Sequence, residues 1–378
     1  LHWPTFVVGG VLRQNQMAQP FKAGNSQREQ QALVKKFADW HYDFSGFVEW
    51  LFPEIKFTSQ QEQALKETSR LIASKLKKAR GIKMTPEEEV YNTKIGVSIM
   101  SGTGTGKDLL AAVITLGFTL LFPYCKNLCT ANTGKQLHNV FWSELSKCMR
   151  RFCRKLTPES KKTMLEEVME MQSEKLFIKE MGREQWFTEA VTVNTTLSEE
   201  EQAEAIAGRH EEYQIAIIDE ASGIANAVFR KLERTLTRQL NLMFIIFNPT
   251  RSTGYAIESQ TDPRFISMRW NAEESELVSK DHIENMRKKY DVDDNSYRVG
   301  VLGLPPKTDE STLFPWEWIE DALLRETETL PKDPLIKGVD CGGGGNKSII
   351  ATRKGYKVYP FKQNTSPDPV VVANWIGA

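Results

Sequence analysis

The chain has 378 residues, of which 40 % are apolar and 26 % charged, and its 49 Lys and Arg residues balance its 49 Asp and Glu residues. These values are typical of globular domains and exclude a disordered chain, a collagen-like chain and a globally basic nucleic-acid binder. They leave room for a local basic groove, because net charge does not say where the charges lie.

The cysteines are too few for a disulfide framework in a chain of this length. Cys125 and Cys129 with Cys148 and Cys153 are compatible with a zinc site, but neither pair has the two-residue spacing of common zinc sites. Reduced, buried thiols are the favoured interpretation. The most apolar stretch, Leu109–Cys125, is too short and interrupted for a membrane span. We therefore expect an intracellular protein without a membrane segment.

In chain order, residues 1–30 are rich in Gln and Asn and predict a loosely tethered arm, and the polar Gly81–Asn92 stretch predicts a loop. Apolar periodicity predicts helices over Gln31–Leu51, Thr58–Lys78, a stretch starting at Lys107, Thr133–Arg151, Pro158–Gln172, Ala227–Leu240, Asp281–Tyr290 and Trp316–Arg325. Short apolar runs predict strands over Ile95–Met100, Leu128–Thr130, Glu189–Val193, Ile215–Ile218, Met243–Phe247 and Ile336–Asp340. This alternation predicts an α/β fold with a parallel sheet flanked by helices on both faces.

A glycine-rich turn separates the first strand from the helix that starts at Lys107. Its backbone N–H groups and the helix amino end suit a phosphate, and Lys107 would reach the β- and γ-phosphates of ATP. Asp108 stands where such loops normally have the Ser or Thr that binds Mg²⁺, and a carboxylate can also bind Mg²⁺. The alternative is a simple glycine-rich turn. The candidate ATP-binding residues are Ser101, Gly102, Thr103, Gly104, Thr105, Gly106, Lys107 and Asp108.

Two later strands also end in polar residues. Asp219 and Glu220 follow Ile215–Ile218 and predict a Mg²⁺ carboxylate and a general base for the attacking water. Their alternative role is a helix cap. Asn248 follows Met243–Phe247, where an amide can contact the γ-phosphate or the water, although an ordinary Asn-Pro turn is also compatible. A fourth polar end, Cys129–Gln136, follows the second strand.

Taken together, these motifs resemble the large terminase subunit of tailed bacteriophages, in that family's order. The segments that carry the resemblance are SGTGTGKD, TANTGKQ, Ala207–Ser222 with IIDEAS, FNPTRSTGY, YRVGVLGLPP and the Gly338–Ser348 segment with VDCGGGG. The family's fold implies a P-loop ATPase domain at 31–265, a lid or linker subdomain at 266–333 and an incomplete RNase H-like nuclease domain at 334–378.

The resemblance also implies residue roles. Gln61 resembles the glutamine that reads adenine, with Gln60 as the other candidate, and Asp340 resembles the first metal-binding acid of the nuclease. A coupling motif links hydrolysis to domain movement and corresponds to Asn248, Pro249 and Thr250. The implied cofactors are ATP and Mg²⁺. The implied partners are double-stranded DNA, the portal protein, the small terminase subunit and further copies in a ring, in the host cytoplasm.

The chain departs from that family in two places. Its phosphate loop has no arginine, so the arginine finger would come from a neighbouring subunit or from Arg209, Arg230, Arg234, Arg238 or Arg251. Asn346 stands where many relatives have an acid, and the remaining nuclease acids are absent. A nuclease of this kind needs several acids for two metals, so we expect nuclease activity only from a complete parent chain and none from this one.

Two basic runs are candidate DNA contacts, because clustered cations neutralise phosphates without reading sequence. For each run, a solvated helix face is an equally good interpretation. The candidates are Lys75, Lys77, Lys78 and Arg80 in the first run and Arg150, Arg151 and Arg154 in the second.

The sequence therefore predicts an ATP-hydrolysing motor that moves double-stranded viral DNA into a procapsid. A helicase-like DNA translocase of another system is one alternative, but it predicts a second RecA-like domain for which residues 266–330 leave no room. A scaffold that binds ATP without hydrolysing it is the other alternative, and Asp108 keeps it open.

Overall fold

A computed structural model describes residues 32, 34–155, 159–192, 211–307, 316–342 and 347–377. The chain divides into two compact units, the first extending to Asp309 and the second beginning at Glu310. The predicted arm and parts of the Ala207–Ser222 and Gly338–Ser348 motifs lie outside the described residues.

An eight-stranded sheet forms the centre of the first unit, with the order β3-β4-β5-β2-β6-β7-β1-β8. Its strands are β1 (Gly96–Ser101), β2 (Lys126–Ala131), β3 (Met169–Met171), β4 (Lys175–Ile178), β5 (Phe187–Ala190), β6 (Tyr213–Asp219), β7 (Leu240–Phe247) and β8 (Phe265–Trp270). The six strands β5-β2-β6-β7-β1-β8 are parallel. At the other edge, β3 and β4 pair antiparallel, so the sheet is mixed rather than wholly parallel.

Helices cover both faces of this sheet. A helix at residues 34–40 precedes α1 (Phe44–Leu51), and the others are α2 (Ser59–Ala79), α3 (Pro86–Asn92), α4 (Lys107–Leu121), α5 (residues 134–152), α6 (Met164–Val168), α7 (Asn226–Thr235), α8 (Tyr255–Glu258), α9 (Lys280–Lys289) and α10 (residues 295–302). Alternate residues of β6 show the layering: Ile215 and Ile217 pack into the core with α1, α2 and α4, whereas Ala216 and Ile218 pack into a second core with α7. The predicted α/β class is therefore confirmed.

The ends of the helices follow from side-chain caps. Thr58 accepts a hydrogen bond from the Gln61 N–H, and the Gln61 side chain accepts one from the Thr58 N–H, which fixes the start of α2. Thr85 and Glu88 form the same reciprocal pair, and Pro86 occupies the first helical position. This capping box makes α3 a helix where the sequence predicted a loop, because its acidic first turn is polar in sequence but favours the helix dipole.

Two further regions differ from their predicted elements. The helix predicted over Pro158–Gln172 is only Met164–Val168, and Met169–Met171 then turns into edge strand β3. Strand β8 was not predicted; it pairs with β1 along its whole length, so the sheet continues past residue 265.

The second unit contains α11 (Trp316–Leu324), β9 (Leu335–Asp340), β10 (Ser348–Lys354), β11 (Lys357–Val358), β12 (Lys362–Asn364) and α12 (Pro369–Gly377). In its antiparallel sheet, β10 pairs with the other three strands. The predicted strand over Ile336–Asp340 is thus present as β9.

The cysteines at 125, 129, 148 and 153 are buried and free, and Cys341 is exposed. Burial raises the pKa of the Cys148 and Cys153 thiols to about 12. Among the described residues, no helix is long and apolar enough to cross a membrane.

Candidate nucleotide-binding site

The parallel strands of the first unit bring four polar chain segments to one edge of the sheet. In register, Ala131 lies beside Asp219, and Met100 lies beside Phe247. Strand β7 stands between β1 and β6. Asn248 therefore emerges between the glycine-rich turn after β1 and the two acids at the end of β6, which is the crevice where open α/β sheets bind ligands.

The glycine-rich turn is shaped for an anion. Gly104 and Gly106 both have φ +79°, a left-handed conformation that a glycine adopts without strain. In the described part of the chain, no acceptor takes a hydrogen bond from the backbone N–H groups of residues 104–107, which lead into the amino end of α4. Unpaired N–H groups and the helix dipole together favour a bound phosphate.

The base of this turn is tied down from behind. Gly102 donates its N–H to the Trp270 carbonyl at 2.9 Å, and Thr103 donates to the Gly300 carbonyl at 2.8 Å. A Cβ on Gly102 would come within 2.5 Å of the Val301 carbonyl oxygen, so only glycine fits there. The loop is thus held in shape by β8 and α10, which lie about 170 to 200 residues later in the chain.

Lys107 is the cation at the centre of the site. Its Nζ donates to Asn248 Oδ1 at 2.8 Å and lies 3.3 Å from Glu220 Oε1 and 3.7 Å from Asp108 Oδ1. Burial by itself lowers the pKa of Lys107, but the charges of Asp108, Glu220 and Asp219 outweigh it and raise the pKa above its usual value. Lys107 is therefore a firmly charged ammonium group.

Two carboxylates follow β6. Asp219 is 2 % exposed, and its Oδ1 accepts a hydrogen bond from the Glu220 N–H at 2.8 Å. Burial first, and then the charge of Asp108, raise the pKa of Asp219 to about 7. Glu220 has φ 47° and ψ 44°, a left-handed backbone that is unusual for a residue other than glycine. Such strain is held in place by surrounding contacts and concentrates at functional sites.

The side chain of Asn248 joins the two sides of the crevice. Its Nδ2 donates to the Ser101 carbonyl at 2.8 Å, while its Oδ1 accepts from Lys107. On the backbone side, Ser222 donates to the Asn248 carbonyl at 2.8 Å and lies 2.9 Å from Thr250 Oγ1. Pro249 is buried, and Thr250 is exposed.

The acidic groups meet only part of what a metal site requires. Asp108 Oδ1 is buried and has no hydrogen-bond partner among the described residues. The charge of Asp108 also contributes to the raised pKa of buried Asp219. No group of three or more His, Cys, Asp or Glu side chains in the described ranges could hold a metal ion. Mg²⁺ needs fewer protein ligands than that, because it binds through one or two carboxylates together with substrate phosphates.

The two candidate base-reading glutamines have different partners. Gln61 is fully buried: its Oε1 accepts from the Thr58 N–H, and its Nε2 donates to the Gly106 carbonyl at 2.8 Å. Gln60 donates to the Asn271 carbonyl at 3.0 Å, and its Oε1 is buried without a partner among the residues that the structure describes. Gln61 therefore braces the phosphate loop, and Gln60 keeps an unused acceptor.

The seven residues of the two basic runs differ in whether they are exposed or held by other parts of the chain. Lys78, Arg150 and Arg151 are exposed. The other four have internal partners: Lys75 donates to the Asn92 carbonyl, Lys77 pairs with Glu88, Arg80 donates to the Tyr42 hydroxyl, and Arg154 donates to the Trp50 carbonyl and lies over its ring.

The remaining predicted residues are dispersed. Arg230, Arg234, Arg238 and Arg251 are exposed, and Arg209 lies outside the described residues. Asp340 is the exposed last residue of β9, in the second unit. At the fourth polar strand end, Thr133 accepts from the Gln136 N–H and caps the start of α5.

Sequence reasoning missed Ser222 and the backbone carbonyls of Trp270 and Gly300 as parts of this site. Ser222 lies two residues after Glu220, and Gly300 lies within the YRVGVLGLPP segment, so both stood inside quoted motifs. Nothing in the linear sequence shows that the two carbonyls meet the phosphate loop or that Ser222 meets residues 248–250.

Comparison with known proteins gives one sequence relative and several weaker structural likenesses. No protein-family model matches the chain. Over 265 residues the chain is 27 % identical to a protein of Enterobacteria phage P7 described as a probable terminase, large subunit, which covers 67 % of this chain and 51 % of that protein. The chain thus spans about half the length of this curated relative.

Among solved structures, the large terminase of a thermophilic bacteriophage in complex with ADP matches with 12 % identity and a TM-score of 0.44, covering 77 % of this chain and 68 % of that one. The ATPase domain of the Thermus phage P74-26 large terminase matches with 14 % identity and a TM-score of 0.40, covering 61 % of this chain and 97 % of that one. The similarity in sequence to the phage P7 protein confirms the resemblance to large terminase subunits that the motifs indicated.

Proposed function

We propose that this chain is an ATP-hydrolysing motor of the large terminase type, which moves double-stranded DNA into a viral procapsid. The observation that carries the proposal is the contact of Lys107 with both Asn248 and Glu220, beside a loop whose N–H groups find no acceptor among the described residues. A cation, a carboxylate and unpaired amide donors in one crevice are the groups that phosphoryl transfer needs.

In this proposal each group has one task. The N–H groups of residues 104–107 and the Lys107 ammonium bind the β- and γ-phosphates. Glu220, released from Lys107 once the phosphates take that cation, accepts the proton of the attacking water. Asp219 and Asp108 hold Mg²⁺, which when bound neutralises charge on the phosphates.

The 248–250 segment reports the state of the phosphates in this proposal. Asn248 already contacts Lys107, so a phosphate that draws the ammonium group away changes the partner of Asn248. Gln60 reads the base through its free Oε1, and Gln61 stays with Gly106. The further partners in the proposal are the portal protein, the small terminase subunit and other copies of the chain, acting in the host cytoplasm.

Steady-state ATP hydrolysis with and without double-stranded DNA tests the proposal. Glu220→Gln should abolish turnover while ATP binding persists, because the amide removes the base but keeps the shape of the side chain. Glu274→Gln, which changes an exposed acid of the first unit, is the control for the loss of one charge. Turnover that persists undiminished in Glu220→Gln would contradict the proposal.

Substitution of Asp108 distinguishes the proposed motor from the alternative of a scaffold that binds ATP without hydrolysing it. For a motor, the wild-type chain hydrolyses ATP, and Asp108→Ser stays active but needs a different Mg²⁺ concentration. A wild-type chain that binds ATP without turnover, even with DNA and portal present, while Asp108→Ser gains activity, would favour the scaffold.

A further inference from the structure

We propose that Ser222 is a positioning residue that fastens the turn bearing Glu220 to the 248–250 segment, so that the base and the coupling segment move together. The inference rests on the proposed ATPase function. Ser222 is 8 % exposed and lies in the short helical turn Ala221–Gly223, directly after Glu220. Its hydroxyl bridges the ends of β6 and β7.

The hydrogen-bond directions along this bridge follow from counting donors. The Asn248 carbonyl can only accept, so the single Ser222 hydroxyl proton must point to it over 2.8 Å. In the 2.9 Å contact between the two hydroxyls, Thr250 must then be the donor. The result is a directed chain from Thr250 through Ser222 to the Asn248 backbone.

The bridge extends a network that begins at the phosphate loop. The Asn248 side chain links the Ser101 carbonyl and the Lys107 ammonium, and its backbone carbonyl is the one that Ser222 binds. A change at Lys107 therefore reaches Thr250 by way of Asn248. Ser222 attaches the base-bearing turn to the same path.

The turn itself needs an anchor. Glu220 has a left-handed backbone, which a residue with a side chain adopts only when surrounding contacts impose it. On its other side the turn is packed closely, since a Cβ on Gly223 would come within 2.4 Å of Asn132 side-chain atoms. Without the Ser222 hydroxyl, the side facing residues 248–250 loses its hydrogen-bonded hold, and Glu220 can relax away from Lys107.

The test compares Ser222→Ala, Thr250→Val and the double variant with the wild-type chain. Ser222→Ala should lower the kcat of ATP hydrolysis about tenfold with little change in the KM for ATP, because phosphate binding does not use Ser222. Thr250→Val should have a smaller effect, and the double variant should match Ser222→Ala, since both changes break one chain. Ser69→Ala, at a buried serine that accepts from the Ser45 N–H in another part of the unit, is the matched control.

Hydrogen exchange provides a readout that does not need turnover. Ser222→Ala should speed exchange in residues 219–224 and in residues 248–252 together, and Ser69→Ala should not. Unchanged kcat, or multiplying effects in the double variant, would overturn the positioning role. A wild-type chain without turnover, even with DNA and portal present, would instead overturn the proposed ATPase function, and the exchange result alone would then decide whether Ser222 joins the two segments.

Discussion

At the scale of single residues, the crowding of charge around Lys107 sets the state of the candidate site. Three carboxylates surround one buried ammonium group, so without nucleotide the cluster carries an excess of negative charge. A triphosphate adds more, which is unfavourable unless a cation arrives with it. In the proposed function, the cluster therefore favours the magnesium complex of ATP over free ATP.

His41 provides a pH-dependent stability that is independent of the site. It is 2 % exposed, its Nδ1 contacts the Phe37 carbonyl, and burial lowers its pKa from 6.5 to about 4. The unfolded chain binds this proton at higher pH than the folded chain does. The contribution of neutral His41 to the free energy of unfolding is thus complete above pH 6.5. It is lost as the pH falls towards 4, and the loss is at most about 3 kcal/mol.

Urea unfolding at pH 7 and at pH 4.5 measures this effect. The asparagine variant His41→Asn keeps a donor for the Phe37 carbonyl but cannot take up a proton, so its unfolding free energy should fall less between the two pH values than that of the wild-type chain. His282→Asn, at an exposed histidine of α9, should behave like wild type. Equal pH dependence in wild type and His41→Asn would refute this origin.

Residue types and their positions in the sequence predicted which residues gather at the candidate site. Whether a predicted residue is exposed depends on hydrogen-bond partners that the sequence does not show. Asp219, Glu220 and Asn248 stand at strand ends and Lys107 begins the helix after β1, so the parallel sheet brings them together as the sequence indicated. Lys75 and Arg154 belong to basic runs in sequence, yet each is held by a backbone carbonyl from a distant segment. A linear pattern of charge cannot show such a partner.

At the scale of elements, the contact between α10 and the phosphate loop could not be predicted from the sequence, and it restricts which residues fit at the base of the loop. Gly303 has φ +59°, and a Cβ there would come within 2.7 Å of the Gly102 nitrogen and the Trp270 carbonyl oxygen. These are backbone atoms of the loop base and of β8, which cannot turn aside. Residues 265–303 therefore act as a structural part of the phosphate loop.

Substituting this glycine tests that role. Gly303→Ala should destabilise the chain by more than the roughly 1 kcal/mol expected from the left-handed backbone alone, and should weaken ATP binding. Gly81→Ala is the matched control, because Gly81 has φ +64° with nothing within 4 Å of an added Cβ. Thermal unfolding and nucleotide titration measure both effects. Equal losses in the two variants would show that packing against the loop does not matter.

Helix α2 was predicted well from signals within its own segment, whereas the short edge strand β3 was not predicted. Helix α2 has its capping box and apolar stripe within one segment, so its limits could be predicted from Thr58 onwards. Strand β3 follows α6 without a break and exists because it pairs with β4. Periodicity over Pro158–Gln172 could not reveal that change from helix to strand.

At the scale of the whole molecule, zero net charge is compatible with the proposed DNA binding only if positive charge is concentrated locally. Lys78 at the end of α2 and the Arg150–Arg151 pair at the end of α5 are exposed, whereas the neighbouring cations of their runs are used internally. The number of cations available to DNA is therefore smaller than the sequence suggests. A small number of exposed cations agrees with the proposed motor, because a translocating protein must hold the DNA backbone weakly and release it.

Comparing the exposed Arg150–Arg151 pair at the end of α5 with the internally bound Arg154 tests which cations contact DNA. Changing Arg150 and Arg151 together to Gln should reduce the stimulation of ATP hydrolysis by DNA without changing the melting temperature. It should also lower the salt slope of DNA binding by about 0.9 for each phosphate that is no longer neutralised. Arg154→Gln should do the reverse, because that guanidinium lies over the Trp50 ring and binds its carbonyl. It should lower the melting temperature and leave the salt slope unchanged.

The double change of exposed Lys280 and Lys288 to Gln removes the same charge from α9 and controls for net charge. If this control lowers DNA stimulation as much as the arginine pair does, the effect comes from overall charge. If only the arginine pair acts, the DNA lies against the end of α5, because screening leaves a lysine more than about 10 Å from the phosphates with little effect.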